Sequence, residues 1–199
     1  NILEVTGNVK YLDVSNDIII TSDKAIYLKN EEKVFTTGNS KAVNDNNTIT
    51  ASSLEYDKIK NIFKAKKNAL VNDFEKETTI YADEITYLKS EEKVFTTGKT
   101  KALIQNKYKF DSKNVSYFRI SDDLFSQKTS SVEDDNGNIY KLKNFSYNVN
   151  QELLKGKDVE VLSKVEKNKF DKYFFSEGFF NFKDKSHLAK ETKIKVHKD

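Results

Sequence analysis

The chain contains no cysteine, and of its 34 basic residues only Arg119 is an arginine. The first absence excludes disulfides, thiolate metal sites and cysteine nucleophiles, and leaves the redox compartment open. The second removes nearly all the bidentate guanidinium contacts by which phosphate readers work. Charge of one sign is lacking too: 34 Lys and Arg stand against 31 Asp and Glu, a net charge of +3. Bases interspersed with acids argue against a dedicated nucleic-acid binder. No apolar run approaches the ~20 residues of a membrane helix, and no signal-peptide pattern opens the chain. If the protein is exported, its targeting segment lies outside this sequence.

Catalysis has little to work with. The two histidines, His187 and His197, read as surface or turn residues. No GxSxG, HExxH, P-loop or GxGxxG pattern occurs. Acidic pairs such as Glu31-Glu32, Glu91-Glu92 and Asp122-Asp123 recur with the repeat described below, as solvated turn residues do and a single active site does not. Asp134, Asn136 and Asn138 mimic the start of a calcium loop, but glycine stands fourth instead of sixth and Phe145 occupies position twelve, so a hairpin turn is the better reading. Lys64, Lys66 and Lys67 read as the charged outer face of a strand. The sequence therefore points to a protein that is not an enzyme and takes no cofactor or metal.

What is present is rhythm. Thr21–Ala42 and Tyr81–Ala102 share 14 identities in 22 positions at an offset of 60 residues, with EEKVFTTG intact in both. This period divides in two. An apolar anchor is followed seven residues later by an aromatic: Ile20 and Tyr27, Ile49 and Tyr56, Ile80 and Tyr87, Phe110 and Tyr117, Tyr140 and Tyr147, Tyr173 and Phe180. A further column lies five residues after each anchor, at Ala25, Leu54, Ile85, Val115, Phe145 and Gly178. Seven or eight residues past each aromatic come Phe35, Phe63, Phe95, Phe125, Leu154 and Leu188. A last column runs through Ala42, Leu70, Ala102, Val132 and Val161. The chain is thus six units of about 30 residues without a linker, read as one domain over residues 1–199.

Apolar spacing of two, strand-forming residue types and polar punctuation (Lys29-Asn30-Glu31, Asp45-Asn46-Asn47, Asn136-Gly137) predict two to four short strands per unit. Helical spacing is sustained nowhere. A spacing of seven is odd, so anchor and aromatic share a face only if the strand bends between them. Units this small bury their apolar face only by stacking. The expected fold is all-β: an elongated β-jellyroll, a solenoid-like roll with two facing sheets and unpaired strand edges at its ends. Its periodic aromatics either pack as core or line a groove that takes an acyl chain, and the sequence leaves both readings open.

The pattern of an apolar residue, Ala or Ser, Asp and Tyr, followed by a strand ending in TTG, is clearest in Ile20–Lys41 and Ile80–Lys101. It resembles the OstA-like domains of the lipopolysaccharide-transport proteins, as does the Thr6-Gly7-Asn8-Val9 strand. Asn138–Tyr147, Leu153–Val159 and Glu191–Lys198 look most like the N-terminal periplasmic domain of the LptD family, the outer-membrane LPS-assembly proteins. That resemblance implies a periplasmic jellyroll attached to the outer membrane of a Gram-negative cell. It would bind and transfer lipopolysaccharide with the acyl chains inside and the sugars outside. The implied partners are lipopolysaccharide, an LptA-like bridge protein at the N-terminal edge, and an outer-membrane barrel with its lipoprotein at the C-terminal end. The barrel lies outside this sequence, and a chain without cysteine cannot make the disulfides that often join domain and barrel in that family. Candidate lining residues are Ile20, Tyr27, Phe35, Ile49, Tyr56, Phe63, Ile80, Tyr87, Phe95, Phe110 and Tyr117, with Lys24, Lys113 and Lys143 at the rim. Leu3, Val5 and Val9 mark the edge strand expected to pair with a partner. A soluble LptA-like bridge protein and a purely structural β-solenoid stalk are the competing expectations.

Overall fold

One inserted residue per strand pair shapes this chain. The computed structural model describes residues 1–45, 47–166 and 169–195. Asn46 of the expected turn, His197 and the end of the Glu191–Lys198 segment lie outside the described residues. The chain divides into two compact units, residues 1–98 and 99–199, with the boundary inside one strand. The protein is all-β, as expected.

In the first unit β1 (Ile2–Asp13), β2 (Ile18–Leu28), β3 (Lys33–Asn44), β4 (Asn47–Asp57), β5 (Ile62–Asp73) and β6 (Thr78–Leu88) pair antiparallel in chain order. β7 (Lys93–Ile104) follows a single turn of 3-10 helix. Each 30-residue repeat therefore holds two strands, within the expected two to four, but of 11 or 12 residues and not short. Every strand is bent at its middle. Gly7 and Asn8 stand against Asp23 alone between the pairs Thr6↔Lys24 and Val9↔Ser22, and Lys67 and Asn68 against Asp83 alone. The extra residues take left-handed conformations: Gly7 at φ 81°, Gly38 at 75°, Lys67 at 63° and Gly98 at 79°. Such two-against-one bulges tilt a strand and raise its twist.

The bend resets the alternation. Burial in β6 runs 78, 80, 82 and then 85 and 87. In β3 it runs 34, 36 and then 40 and 42. Even-numbered strands change phase over three residues and odd-numbered strands over four, the difference being the inserted residue. This is how Ile80 and Tyr87, seven apart, both point inward. The bend inferred from the odd spacing is thus a property of every strand in this unit.

Bending gives each strand two arms and the unit two rims of turns. One rim carries 13–18, 44–47 and 73–78; the other carries 28–33, 57–62 and 88–93. On a flat sheet the rims would stand about 35 Å apart, at roughly 3.3 Å per residue. Instead Tyr56 Oη donates to Asp13 Oδ2 at 3.0 Å, and Lys89 Nζ donates to the Asn16 carbonyl at 2.9 Å. The two facing layers are therefore one sheet folded over at the bulge row. Between them lie Ile20, Val34, Leu54, Tyr56, Phe63, Ala65 and Ile85, all at most 3% exposed.

In the second unit the remainder of β7 pairs with β8 (Tyr108–Lys113), and β8 with β11 (Ser130–Glu133). β9 (Ser116–Phe118) and β10 (Asp123–Ser126) pair with one another. Here the bend interrupts pairing: β8 breaks into β9 at Asn114, φ 51°. β12 (Ile139–Asn148), β13 (Leu153–Glu166) and β14 (Lys169–Asn181) continue the meander. β15 (Ser186–Lys190) and β16 (Lys193–Lys195) pair with the two arms of β14. The core is aromatic. Phe110 meets Phe145 and Tyr147 at 5.8 and 5.0 Å, and Tyr140 meets Phe180 and Phe182 at 5.0 and 5.1 Å, spacings typical of offset and tilted pairs. The expected Asn136-Gly137 hairpin turn forms, but only Gly137 takes positive φ. The Asp134 carboxylate accepts from the amides of Asn136 and Asn138, from Asn138 Nδ2 and from Tyr140 Oη, at 2.8–3.1 Å. Those contacts make the Asp134 carboxylate the anchor of the turn.

Tyr147 carries a consequence for stability. Its side chain is fully buried and its hydroxyl has no hydrogen-bond partner among the described residues. A buried, unsatisfied hydroxyl costs about 1–3 kcal/mol. Tyr147→Phe keeps the ring and removes the cost, so urea midpoints should rise by the equivalent of about 1 kcal/mol. A lower midpoint would mean that the hydroxyl has a partner in solution.

Candidate functional site

In each unit the repeated columns converge on the inner face. In the first unit the anchors Ile20, Ile49 and Ile80 are buried, as are Tyr56, Phe63 and Tyr87. Tyr27 is half-buried against Tyr11, with ring centroids 5.9 Å apart. Phe110 and Tyr117 lie inward in the second unit. Phe35 and Phe95 do not belong with them. Strand alternation turns both to the outer face, where Phe35 pairs with Ile26 and Glu55, while Val34 and Val94 point inward at 1% and 5% exposure. Phe125 likewise yields to Leu124, Leu70 to Val71, and Leu188 lies on the outer face beside Phe179.

The correction sharpens the rhythm. In five of the six repeats the inward residue stands seven positions beyond the aromatic, from Tyr27 to Val34, Tyr56 to Phe63, Tyr87 to Val94, Tyr117 to Leu124 and Tyr147 to Leu154, whereas His187, seven beyond Phe180, is exposed. Every position eight beyond is outward. That recurring seven was available as a signal, but a large aromatic neighbour outweighs a valine when columns are chosen by size.

The lysines are displaced as well. Lys24, Lys113 and Lys143 sit beside Asp23, Asn114 and Asn144 at the bend, the closed side of the fold, and not on the rims. Lys24 pairs with Glu4, and Lys143 with Asp158 at 3.1 Å. The cations that meet the first unit's rim-to-rim seam are Lys58 and Lys89, which the sequence did not single out.

At that seam Asp13, 3% exposed, accepts from Ser15 Oγ at 2.7 Å, Asn16 Nδ2 at 2.9 Å and Tyr56 Oη at 3.0 Å, with Lys58 Nζ at 3.8 Å. Burial pushes its carboxyl up, but the hydrogen bonds from Asn16, Ser15 and Tyr56 and the Lys58 charge outweigh it and hold the pKa at about 2. Burial, then the neighbouring Asp13, raises the Tyr11 phenol to about 12. Tyr56 is raised further, first by burial and then by its bond to Asp13. A carboxyl depressed in the folded state stabilises the fold above its unfolded pKa and loses that contribution as pH falls through the folded one. The fall from 3.8 to about 2 corresponds to about 2 kcal/mol. Between pH 5 and pH 2 the native protein should lose about 2 kcal/mol more stability than Asp13→Asn, as read by urea unfolding at each pH. Parallel curves would remove Asp13 from the acid response.

The second unit has a seam of the same kind. Tyr108 Oη donates to Glu152 Oε2 at 2.5 Å, and Gln105 Nε2 to the Val149 carbonyl at 3.4 Å. Burial first, and then this bond, pushes the Tyr108 phenol up.

A small space lies between described residues inside the first unit. A cavity of about 20 Å³ lies between Ala42, Val43, Asn44, Asn47 and Ile49 on one rim and Phe63, Tyr87 and Lys89 on the other. A space of this size holds about one water molecule, and not an acyl chain, as it stands. Among the described residues no group of three or more His, Cys, Asp or Glu is arranged to hold a metal. No described helix is long and apolar enough to cross a membrane.

In each unit part of the inner face is uncovered among the described residues. On β1 the inward Leu3 and Val5 are 58% and 39% exposed, while Val9 is buried. On the last strands of the second unit Tyr173 and Phe175 stack 6.5 Å apart, half-buried, and Ile194 opposite Tyr173 is 58% exposed.

No family model matches the chain, and no curated protein matches it. Among the solved structures to which it is similar is LptH, the LptA homologous periplasmic component of the conserved lipopolysaccharide transport device from Pseudomonas aeruginosa, with 13% sequence identity over 59% of this chain and 76% of that chain, and a TM-score of 0.40.

Proposed function

We propose that this chain binds and passes on lipopolysaccharide without chemistry, its inner face receiving the acyl chains. The observation that carries the reading is the recurring seven-residue step. It sets aliphatic or aromatic side chains of similar character at equivalent inner positions on successive strand pairs. Burying hydrocarbon contributes about 0.8 kcal/mol per methylene, so a lipid held at one deep site would leave slowly. Equivalent neighbouring positions let it shift with little net change. The proposal takes residues 1–199 as a single OstA-like domain of the LptD kind, in the periplasm and attached to the outer membrane. Its edge strand at Leu3 and Val5 pairs with an LptA-like bridge protein by strand addition. Its last strands meet an outer-membrane barrel and its lipoprotein. A soluble LptA-like bridge protein is the same proposal without the barrel.

The second reading, a structural β-solenoid stalk, is favoured by the 20 Å³ cavity: an interior already filled by side chains needs no guest. Photocrosslinking separates the two. A photoreactive residue at Tyr56, Tyr87 or Tyr117 should capture lipopolysaccharide, whereas one at the outward Phe35 should not. A folded protein that crosslinks from none of the three inner positions is a stalk.

A further inference from the structure

The interactions that hold the first unit's rims together are of a different kind from those that hold its strands. Neighbouring strands are joined by backbone ladders, each broken only at its bulge. From rim to rim, the Tyr56–Asp13 bond spans 43 residues, the Lys89–Asn16 bond spans 73, and Lys58 reaches Asp13 at 3.8 Å; each comes from a side chain. On the opposite side the two arms of β1, β3, β5 and β7 are joined by left-handed bulge residues, and β2, β4 and β6 bend against them. The mechanical result is a fold with a covalent hinge row on one side and a side-chain seam on the other. The small cavity lies along that seam, with Lys89 part of its wall. The second unit repeats the device: Tyr108 donates to Glu152 across 44 residues. In both units a buried or half-buried tyrosine hydroxyl is aimed at a carboxylate of the facing rim, whereas packing alone would be served by phenylalanine.

We propose that the first unit opens along this seam to admit a hydrocarbon chain sideways, and that the Tyr56–Asp13 hydrogen bond is the latch that keeps it shut. The inference rests on the lipid-binding reading and adds the route of entry. It accounts for an interior that is apolar along its length and yet nearly full: the space is made by parting the rims, and the guest's methylenes then pack against the side chains that the rims had covered. The latch is a bond from a neutral donor to an ionised acceptor, stronger than a neutral pair and able to re-form when the guest leaves. Lys58 and Lys89, freed when the rims part, are then positioned at the mouth to meet an anionic headgroup.

The absence of cysteine makes the test clean, because an introduced thiol is the only one. Ile49→Cys places a thiol on the cavity wall beside the seam, and Ala65→Cys places one in the interior of β5, near its bulge. Adding Tyr56→Phe should speed maleimide labelling of the Ile49→Cys thiol about tenfold, as the loss of a charged hydrogen bond allows, and leave the Ala65→Cys rate near its starting value. Equal acceleration at both thiols, or none at either, overturns the latch. In a second arm, Asn16→Cys with Lys89→Cys is bridged across the seam by a short bismaleimide, and uptake of fluorescent lipopolysaccharide is followed. Bridging should slow uptake at least about tenfold relative to the same variant capped with a monofunctional maleimide. Equal uptake by bridged and capped protein overturns the seam as the entry route and leaves the lipid-binding reading standing. Uptake by neither overturns that reading itself.

Discussion

Val34→Lys should abolish folding or cost about 4 kcal/mol or more, while Phe35→Lys, one residue along, should cost about 1 kcal/mol. Val34 is 1% exposed and pairs with Tyr27 and Tyr56, so a lysine there must bury an ammonium in the inner layer. Phe35 faces outward between Ile26 and Glu55, and a lysine there trades one apolar cross-strand contact for a pairing with Glu55. The same pair of substitutions at Val94 and Phe95 should show the same order of cost, because Val94 is 5% exposed on the inner face and Phe95 follows it on the outer one. Urea unfolding of the four variants reads it directly. A larger loss at the phenylalanines would mean that the strand is shifted by one residue, with its faces exchanged.

Gly38→Ala and Gly98→Ala should each destabilise by about 2–3 kcal/mol, much more than a glycine-to-alanine change in an open loop. Two costs combine. Both glycines hold positive φ, 75° and 79°, where an L side chain loses about 1–2 kcal/mol. A Cβ at Gly38 would also collide with the Asp23 carboxylate, and one at Gly98 with that of Asp83. Overpacking of this kind costs about 1–3 kcal/mol when neighbours cannot move away. Asp23 is held in place, accepting from Asn39 Nδ2 at 2.9 Å. Asp23→Ala should therefore recover the steric part of the loss in a Gly38→Ala background and leave the conformational part. Thermal or urea unfolding of the double-mutant cycle would show this as a favourable coupling; strictly additive losses would mean that the collision relaxes freely. The pairing gives a physical reason for the repeated Asp and TTG: the carboxylate covers the bulge, and only glycine leaves it room.

Much of the fold is legible in the residues. The odd step from Ile20 to Tyr27 or Ile80 to Tyr87 demands a bend, and the bend is there. The alternation around Ala25, Ile85 and Phe145 identifies inward positions correctly, because a two-residue period on a bent strand has few solutions. The candidate lining was less legible where two apolar residues are adjacent. In Val34-Phe35 and Val94-Phe95 a shift of one residue reverses the assignment, and side-chain size points the wrong way. The lysines failed for a different reason: their distance from the anchor shows that they adjoin the bend, but the side on which the fold closes is decided by curvature. Asp13, Tyr56, Lys89 and Asn16 carry no joint signal in the chain, since the bonds between them span 43 and 73 residues with no fixed relation to the 30-residue step.

The amino-acid order by itself determined the strand class, the repeat, the bent alternation and the paired bulge glycines, because these depend on local geometry and on steps of two, three and seven residues. Which of two neighbouring apolar residues faces inward, how far the folded sheet closes, and which side chains join its rims were decided only by the tertiary structure. Those depend on the summed twist of many strands, which brings together ends that a flat sheet would hold about 35 Å apart.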